Sequence, residues 1–387
     1  MEFDIVIIGG GLVGASLAAS LRHSGLKLAL LESGPSPQAS QAEDDWDARI
    51  YAFTPGNAEF LRECGAWQRL DMSRVQQVEE MRVFGDTGAK LNFSAYQLGV
   101  PEMAFILESR LLQDALWQGL REQDNLTLLH PAQCAALQVH EQAAHLTLKD
   151  GREVRAKLIV GADGRDSWVR QQAGMPEVPT PYNQHGLVAN FKCSKAHRGI
   201  AYQWFTEDGI LALLPLPGRR ISIVWSVTPE KSAELLALSH EQLAARVTQA
   251  SQRTLGELEV ITAPAAFALR VLNLAHLAKP RLALIGDAAH NVHPLAGQGV
   301  NLGLRDAREL AHTIMQRGAL DCGDLRLLQR YEHARRDDIL SMQLTTDALK
   351  HLFVNPNPVL RLLRNVGMAT TNAVTPLKKL LARHALN

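Results

Sequence analysis

The sequence predicts an α/β protein, or α+β when all of its parts are counted, with a parallel-sheet domain and a second, mainly antiparallel β-sheet domain. Three observations support this prediction. The chain opens with a strand, a glycine-rich turn and a helix, which is the start of a βαβ unit. Two later apolar runs each end in a glycine followed within two residues by an aspartate, and the segments between these pieces alternate as strands do.

Taken in order, the first strand covers residues 3–8, the first helix runs from 12 to about 24, and the second strand covers 27–32. Later strands are predicted within 75–101, at 126–129, 135–139, 145–148 and 157–160, between 186 and 227, and at 281–285. Helical periodicity predicts helices at 110–123, 230–253 and 300–317, and amphipathic helices after 357.

These elements predict domains that are discontinuous in sequence. A Rossmann-like nucleotide-binding domain is expected to take residues 1–74, 102–178 and 272–350. A β-sheet domain for the substrate takes 75–101 and 179–271, and residues 351–387 form a C-terminal helical segment.

Composition excludes several classes of protein. Lys+Arg and Asp+Glu number 40 each, so no net field attracts nucleic acid. The four cysteines are far apart, which is typical of a reducing cytoplasm and unlike a zinc site. Acidic residues stand where a signal peptide would be basic, and glycines interrupt the uncharged run 5–21 that a hydropathy scan would take for a membrane span.

The first motif is Gly9-x-Gly11-x-x-Gly14, between the first strand and the first helix. Its glycines let backbone N–H groups approach a pyrophosphate at a helix N-terminus, and Glu32, which ends the second strand, suits a ribose. The motif therefore predicts nucleotide binding. The alternative is a glycine-rich turn that only packs the helix on the strand.

The second motif, Gly161-Ala162-Asp163-Gly164-Arg165, follows a buried strand. Asp163 then lies at the carboxyl edge of the sheet, where ligands of α/β proteins bind. The alternative is an aspartate that caps the next helix. The presence of the first motif favours a contact with the cofactor.

The third motif begins with Gly286-Asp287 and continues through Pro294 to the run Gly297-Gln298-Gly299-Val300-Asn301. Asp287 suits a sugar hydroxyl, and a helix that opens on glycine presents N–H groups suited to the anionic edge of a reduced flavin. His290 and His293 have no third ligand at a suitable spacing, so no metal is predicted.

In this order and spacing, the three motifs resemble the group A flavoprotein monooxygenases, of which para-hydroxybenzoate hydroxylase is the familiar example. Residues 47–57, 107–110, 202–215 and 286–306 more closely resemble the ubiquinone-biosynthesis hydroxylase family. The resemblance covers nearly the whole chain. It implies bound FAD, NAD(P)H as co-substrate, and a flavin C4a-hydroperoxide that transfers oxygen to the aromatic ring of a prenylated phenol.

The resemblance also implies where the cofactor lies. The ADP half is expected near the first motif. Arg49 and Arg110 are expected along the pyrophosphate or ribityl groups, and Asp163 is expected near FAD and NAD(P)H. The third motif is expected along the ribityl chain and the isoalloxazine. The residues concerned are Gly9, Gly11, Leu12, Val13, Gly14, Glu32, Arg49, Arg110, Asp163, Gly286, Asp287, Pro294, Gly297, Gln298, Gly299, Val300 and Asn301. For the two arginines the alternative is a surface ion pair.

The catalytic base is harder to identify. His185 and Tyr202 fall in the predicted substrate domain and are the candidates to deprotonate a phenol, with a packed strand residue as the alternative for each. Leu213, Leu214 and Pro215 are candidates for an apolar wall facing the flavin.

Partners and location are expected as follows. The C-terminal segment reads as basic amphipathic helices, which lie on a membrane surface or a partner, or else pack on their own domain. The protein is expected in the cytoplasm, peripheral to the membrane if that segment binds it. Other ubiquinone-biosynthesis proteins are candidate partners, and oligomers are left open.

Two further functions remain open. The chain is either another FAD-dependent oxidoreductase, such as a hydroxylase of a different pathway or a reductase, or a non-catalytic subunit of a quinone-biosynthesis complex. A halogenase is disfavoured because its Trp-x-Trp-x-Ile-Pro motif is missing.

Overall fold

The computed structural model describes residues 1–38, 42, 44–85, 88–175, 179–206, 208–292 and 297–354, with side chains as far as 348. Its strands are β1 Glu2–Ile8, β2 Leu28–Leu31, β3 Ile50–Phe53, β4 Gln76–Val78, β5 Glu80–Phe84, β6 Lys90–Ser94, β7 Ala104–Glu108, β8 Leu126–Leu129, β9 Cys134–Val139, β10 Ala144–Leu148, β11 Glu153–Gly161, β12 Thr180–Cys193, β13 Ile200–Thr206, β14 Gly209–Leu216, β15 Arg220–Val227, β16 Leu258–Val260, β17 Ala265–Asn273, β18 Ala278–Lys279, β19 Leu282–Leu284 and β20 His290–Asn291. Its α-helices are α1 Leu12–Ser20, α2 Pro55–Glu63, α3 Ala95–Leu98, α4 Ser109–Arg121, α5 Trp168–Gln172, α6 Pro229–Leu236, α7 His240–Ala250, α8 Gln298–Met315 and α9 Leu325–Val354.

The first sheet brings the predicted motifs to one edge. Its strand order is β18-β19-β11-β1-β2-β8, and β10 and β9 extend it from β11. The strands β19, β11, β1 and β2 are parallel, with Ile8 opposite both Gly161 and Leu31, and Gly161 opposite Leu284. Because parallel strands end at the same edge, the residues that follow β1, β11 and β19 lie side by side.

The uncharged run near the N-terminus is a buried strand and a buried helix. Strand β1 and helix α1 lie in the main apolar core, with Ile5, Ile7 and Leu17 fully buried. No helix among the described residues is long and apolar enough to cross a membrane. Helix α1 ends at Ser20, about four residues earlier than predicted, because the chain turns before Gly25, whose φ is +70°.

The second sheet has the strand order β20-β17-β12-β15-β14-β13-β5-β6, with β16 beside β12. All pairs are antiparallel except β13 with β5. On one face, side chains such as Leu187, Trp225 and Leu213 pack against α6 and α7. On the other face, Ala201, Leu214 and neighbouring residues pack against the three-stranded sheet β3-β7-β4.

The helices differ from the expectation in two places. Residues 230–253, predicted to be helical, form the two helices α6 and α7, because Ser239 and Gln242 form a capping box that starts α7. Helix α9 was not predicted, because its buried face includes Arg335, Gln343 and Thr346, which hide the apolar period.

The described strands of the first sheet come from residues 2–31, 126–161 and 278–284, and those of the second from 80–94, 180–273 and 290–291. The domain boundaries themselves stay a prediction. The helices predicted after residue 357 lie outside the described residues.

Candidate functional site

Glycines shape the turn after β1. Gly9 has φ +110°, and a Cβ there would lie 2.3 Å from the carbonyl oxygen of Ala162. A Cβ on Gly14 would lie 2.0 Å from the carbonyl oxygen of Gly9. These two glycines therefore serve close packing, as the alternative interpretation requires. Gly11 differs, because a Cβ added there meets no atom within 4 Å, and a ligand can approach its backbone.

Glu32 lies directly beyond β2 and faces the same turn. Its Oε2 accepts a hydrogen bond from the Gly10 N–H (2.8 Å), and its Oε1 accepts one from the Gly34 N–H (2.9 Å). A carboxylate has about four lone-pair sites, so Glu32 can still accept a ribose hydroxyl. The Trp117 indole N–H donates to the Gly10 carbonyl at 2.8 Å, a contact that no sequence motif indicated.

The first residues of α1 connect the first and third motifs. Leu12 is buried in the core, and Val13 packs beneath Gly286, where a Cβ would lie 3.3 Å from the Val13 side chain. Gly303 of α8 approaches Val13 still more closely. Small residues are therefore needed where α1 and α8 meet.

Asp163 supports the start of α5 but is not its N-cap. Its Oδ1 accepts from the Ser167 hydroxyl (2.5 Å) and its Oδ2 from the Val169 N–H (3.0 Å), which tie the second motif to α5. The N-cap itself is Ser167, whose hydroxyl accepts from the Arg170 N–H at 3.0 Å, and a role of Asp163 in cofactor binding stays a prediction. Arg170 joins the motifs, since its guanidinium donates to the Ala288 carbonyl at 2.8 Å.

Asp287 lies in the turn Gly286–Ala288 that follows β19. Its side chain is open to solvent, yet protein surrounds it closely enough for desolvation to raise the pKa of its carboxyl group. His290, Arg165, Arg270 and Arg49 oppose this rise in pKa through their charges. An acceptor in such a position suits a ligand hydroxyl.

Behind Asp287 lies a buried ionic network centred on Asp306 of α8. Its Oδ2 accepts from the Gly286 N–H (2.9 Å) and lies 2.5 Å from His290 Nε2, and its Oδ1 accepts from Arg335 Nε (2.7 Å). Burial opposes ionisation of Asp306, but His290 and Arg335 outweigh it and hold the pKa below its usual value. His290 is thus an aspartate partner. The described residues contain no cluster of three metal ligands, and His293 lies outside them.

Asn301 joins the third motif to the segment before α2. Its Oδ1 accepts from the Thr54 N–H (3.0 Å) and Asn57 Nδ2 (2.9 Å), and its Nδ2 donates to the carbonyls of Ala52 (2.7 Å) and Gly297 (3.0 Å). Asn301 is 1% exposed, so these bonds replace water completely.

The start of α8 is open to a ligand. Gly297 has φ +66° and no side chain to cap the helix, and a Cβ added to Gly299 meets no atom within 4 Å. Gln298 is buried, whereas Val300 is only partly buried, against the core. Pro294 lies outside the described residues.

A cleft of about 440 Å³ brings Glu32, Arg49 and Arg110 together; its other lining residues are Pro35, Pro37, Gln38, Asp47, Ser109 and Gln113. Arg110 contacts exposed Asp45 at 3.1 Å, the ion pair predicted as its alternative. Within the described part of the chain, the Arg49 guanidinium makes no hydrogen bond or ion pair.

The structure does not bring the two proposed bases to this site. Tyr202 is buried and stacks on Trp204, with ring centroids 5.7 Å apart, in the cluster under α6 and α7. His185 pairs with Val227 and shares that face of the sheet. Both placements match the alternative of packed strand residues. The wall predicted from 213–215 is also divided, because consecutive strand residues face opposite ways: Leu213 lies under the helices and Leu214 on the other face.

The missed residues left only weak signals in the sequence. Asp306 is an acid between Leu302 and Leu310 on the buried stripe of α8, and a charge in such a stripe indicates a buried partner. Nothing in the sequence indicated that Asn57 would pair with Asn301.

Known proteins are similar to this chain in both sequence and fold. A family model described as "FAD binding domain" matches residues 2–344. The chain is 37% identical over 386 residues to "Ubiquinone hydroxylase UbiL" of Rhodospirillum rubrum, covering 99% of this chain and 89% of that protein. It is 34% identical to "3-demethoxyubiquinol 3-hydroxylase" of Escherichia coli, with 99% and 98% covered. Its fold is similar to PqsL, a probable FAD-dependent monooxygenase from Pseudomonas aeruginosa, at a TM-score of 0.81 with 24% identity, covering 96% of this chain and 100% of that one.

Proposed function

Because this chain belongs to the FAD-binding family of flavoprotein monooxygenases that includes the ubiquinone hydroxylases, we propose that it hydroxylates the aromatic ring of a polyprenyl phenol during ubiquinone synthesis. It uses FAD as cofactor and NAD(P)H and O2 as co-substrates. The observation that carries the proposal is the convergence of the three motifs at one sheet edge, in a chain similar over almost its whole length to ubiquinone hydroxylases.

The residues at this edge fit FAD chemically. Gly11 and Gly299 leave space where a side chain would stand, which suits the approach of a large flat ligand to the backbone. Glu32 would accept from the adenosine ribose, Asp287 from the ribityl chain, and Arg49 with Arg110 would neutralise the pyrophosphate. Asp163, which follows the neighbouring strand β11, would also contact the cofactor.

Bound FAD, once reduced by NAD(P)H, supplies the activation of O2 for transfer of one oxygen atom to the ring. The chain's own contribution is electrostatic and steric. The N-terminus of α8, from Gly297 to Val300, would stabilise negative charge at the isoalloxazine edge, and Asn301 would hold that turn in place.

The face of the second sheet opposite α6 and α7 supports an apolar substrate. Val188, Ala212, Leu214 and Val224 lie on this face and are only partly buried, although they stand in central strands. Val224 pairs directly with both Val188 and Ala212. Leu214 packs in the same cluster as Ala52, which borders Gly297. We therefore assign this face to the substrate, with the isoprenoid tail along the valines.

The C-terminal residues 355–387, outside the described part of the chain, are the proposed membrane contact. A polyprenyl substrate dissolves in the bilayer, and this segment alternates leucines with Arg361, Arg364, Lys378, Lys379 and Arg383.

The first experiment is mass spectrometry of quinone intermediates in cells with and without the gene. Loss of the gene should cause a prenylated phenol lacking one ring oxygen to accumulate, and restoring the gene should clear it. Isotopically labelled O2 should place its label on the new hydroxyl group, which separates a hydroxylase from a reductase. An unchanged quinone profile, in a host without a redundant hydroxylase, would rule out the ubiquinone assignment.

A further inference from the structure

We propose that Asp47 is a positioning residue for FAD, which sets Arg49 and Arg110 at the cofactor cleft. Its carboxylate holds both residues by their backbones: Oδ1 accepts from the Arg49 N–H at 2.9 Å, and Oδ2 accepts from the Arg110 N–H at 3.0 Å. The two arginines are 61 positions apart in sequence, yet one side chain fixes the distance between their Cα atoms.

The contact with Arg110 is also a helix cap. Arg110 is the second residue of α4, and the N–H groups of a first helical turn have no partner within the helix. Asp47 supplies that partner from outside the helix. A second bond, from the Ser109 N–H to the Arg49 carbonyl (2.9 Å), closes the link between the loop and the helix.

Asp47 is itself held rigidly. Its N–H donates to Oε1 of buried Glu108 at 2.7 Å, and its carbonyl accepts from Asn190 Nδ2 of the second sheet at 2.9 Å. Glu108 is paired with Arg74 (2.7 Å), whose guanidinium lies 4.2 Å from the ring centre of Trp46. The segment before Arg49 is therefore anchored in the three-stranded sheet, through Glu108 of β7, and in the second sheet, through Asn190 of β12.

This arrangement explains why a carboxylate lines a cleft that is to receive a pyrophosphate. Each Asp47 oxygen accepts from a backbone N–H group, and each Glu32 oxygen across the cleft accepts from Gly10 or Gly34 while keeping capacity for a ribose hydroxyl. Among the described residues the Arg49 guanidinium has no hydrogen-bond or ion-pair partner, and fixing the backbone of Arg49 in advance reduces the entropy lost on binding.

The test measures FAD affinity of the apoprotein by flavin fluorescence, without any phenol substrate, so it is independent of the proposed reaction. Asp47→Ala should weaken FAD binding about tenfold or more, since two charge-assisted hydrogen bonds are lost. Asp47→Asn keeps one acceptor, so its FAD affinity should lie between those of the wild type and Asp47→Ala. This variant keeps the test valid if the alanine variant misfolds. Asp150→Ala is the matched control: Asp150 makes the same contact to the N–H two residues on (3.1 Å), but in the turn before β11, at the end of that strand remote from the cleft.

A double-mutant cycle separates positioning from a general loss of structure. If Asp47 acts through the two arginines, then Asp47→Ala should have little further effect on FAD affinity when Arg49 and Arg110 are already alanine. An equal loss of affinity in both backgrounds, or unchanged affinity in Asp47→Ala and Asp47→Asn, would overturn the proposal.

Discussion

Gly9 and Gly11 stand two residues apart in one turn, but different constraints act on them. Gly9→Ala should destabilise the apoprotein by more than about 2 kcal/mol, because φ is +110° and the new Cβ would overlap the Ala162 carbonyl. Gly11→Ala should change the stability of the apoprotein by less than about 1 kcal/mol, since φ at Gly11 is −68° and the space is open, while alanine is a poorer N-cap for α1 than glycine. Urea unfolding of both apoproteins checks the difference.

The same pair separates packing from ligand contact. Gly11→Ala should weaken FAD binding although the fold is intact, because its methyl group would occupy the space expected to hold the pyrophosphate. Wild-type FAD affinity in Gly11→Ala would contradict this placement of the cofactor.

We expect the Asp287 carboxylate to lower the stability of the apoprotein at neutral pH. Desolvation by the surrounding protein raises its pKa in the folded state above the unfolded value of 3.8, so the folded state binds the proton more tightly, and because the side chain is open to solvent the effect is small. The stability due to that proton is present below pH 3.8 and is lost as the pH rises through the folded pKa. Asp287→Asn should therefore stabilise the apoprotein at pH 7, and this advantage should shrink as the pH falls toward 3.8.

Thermal unfolding of the two apoproteins across pH 3.5–8 gives this comparison, with FAD affinity measured in parallel at pH 7. The variant should lose FAD affinity by about tenfold, the usual cost of a lost charged acceptor. An advantage that grew at low pH would show that the cause is not the carboxylate charge.

At the scale of elements, α8 is joined to β19 and α9 by one buried carboxylate. Asp306→Ala should cost roughly 3–5 kcal/mol of unfolding free energy, because it leaves His290 buried without its partner and Arg335 with Asp338 as its one remaining ion pair among the described residues. The exposed pair between Arg308 on the same helix and Glu63, at 3.9 Å, supplies the control. Arg308→Ala should cost less than about 1 kcal/mol in the same urea titration. Similar losses in both variants would refute the special role of Asp306.

Element types followed from the sequence where one side of the element is uniformly apolar. Strands β1 and β19 and the last residues of β11 were predicted because they are mostly buried on both faces, and α4 was predicted because its apolar stripe is clear. Helix α9 was missed because polar residues on its buried face bond to other elements, as Gln343 does to the Leu272 carbonyl at 2.9 Å. Local periodicity carries no information about such distant partners.

The same distinction applies to the residues of the site. The motif glycines, and the aspartates that follow β11 and β19, could be predicted from the sequence because their chemistry is local to a strand end. The contacts of Asn301 with Thr54 and Asn57 join positions more than 240 apart, so only the folded chain reveals them. His185 and Tyr202 were proposed because of their residue types. In their strands both lie on the face of the second sheet that packs against α6 and α7, away from the third motif.

For the whole molecule, the prediction concerns the bilayer. Full-length protein should float with vesicles that contain anionic lipid, and a chain truncated after Pro356 should not, because the cationic leucine-rich segment is then missing. Equal FAD content in both proteins is the control for folding. Flotation of the truncated chain to the same extent would discard this segment as the membrane contact.

The order of the first sheet has a consequence for biosynthesis. Strand β1 emerges from the ribosome first, but one of its edges waits for β11, and the far edge of β11 waits for β19 and the turn at Gly286. If the third motif binds FAD as proposed, translation has to pass Asn301 before a nascent chain can capture the cofactor. Until then unpaired strand edges are exposed, and such edges invite chaperones or aggregation. The supply of FAD in the cell should therefore affect the yield of folded protein. It should not affect the rate at which the first strands form.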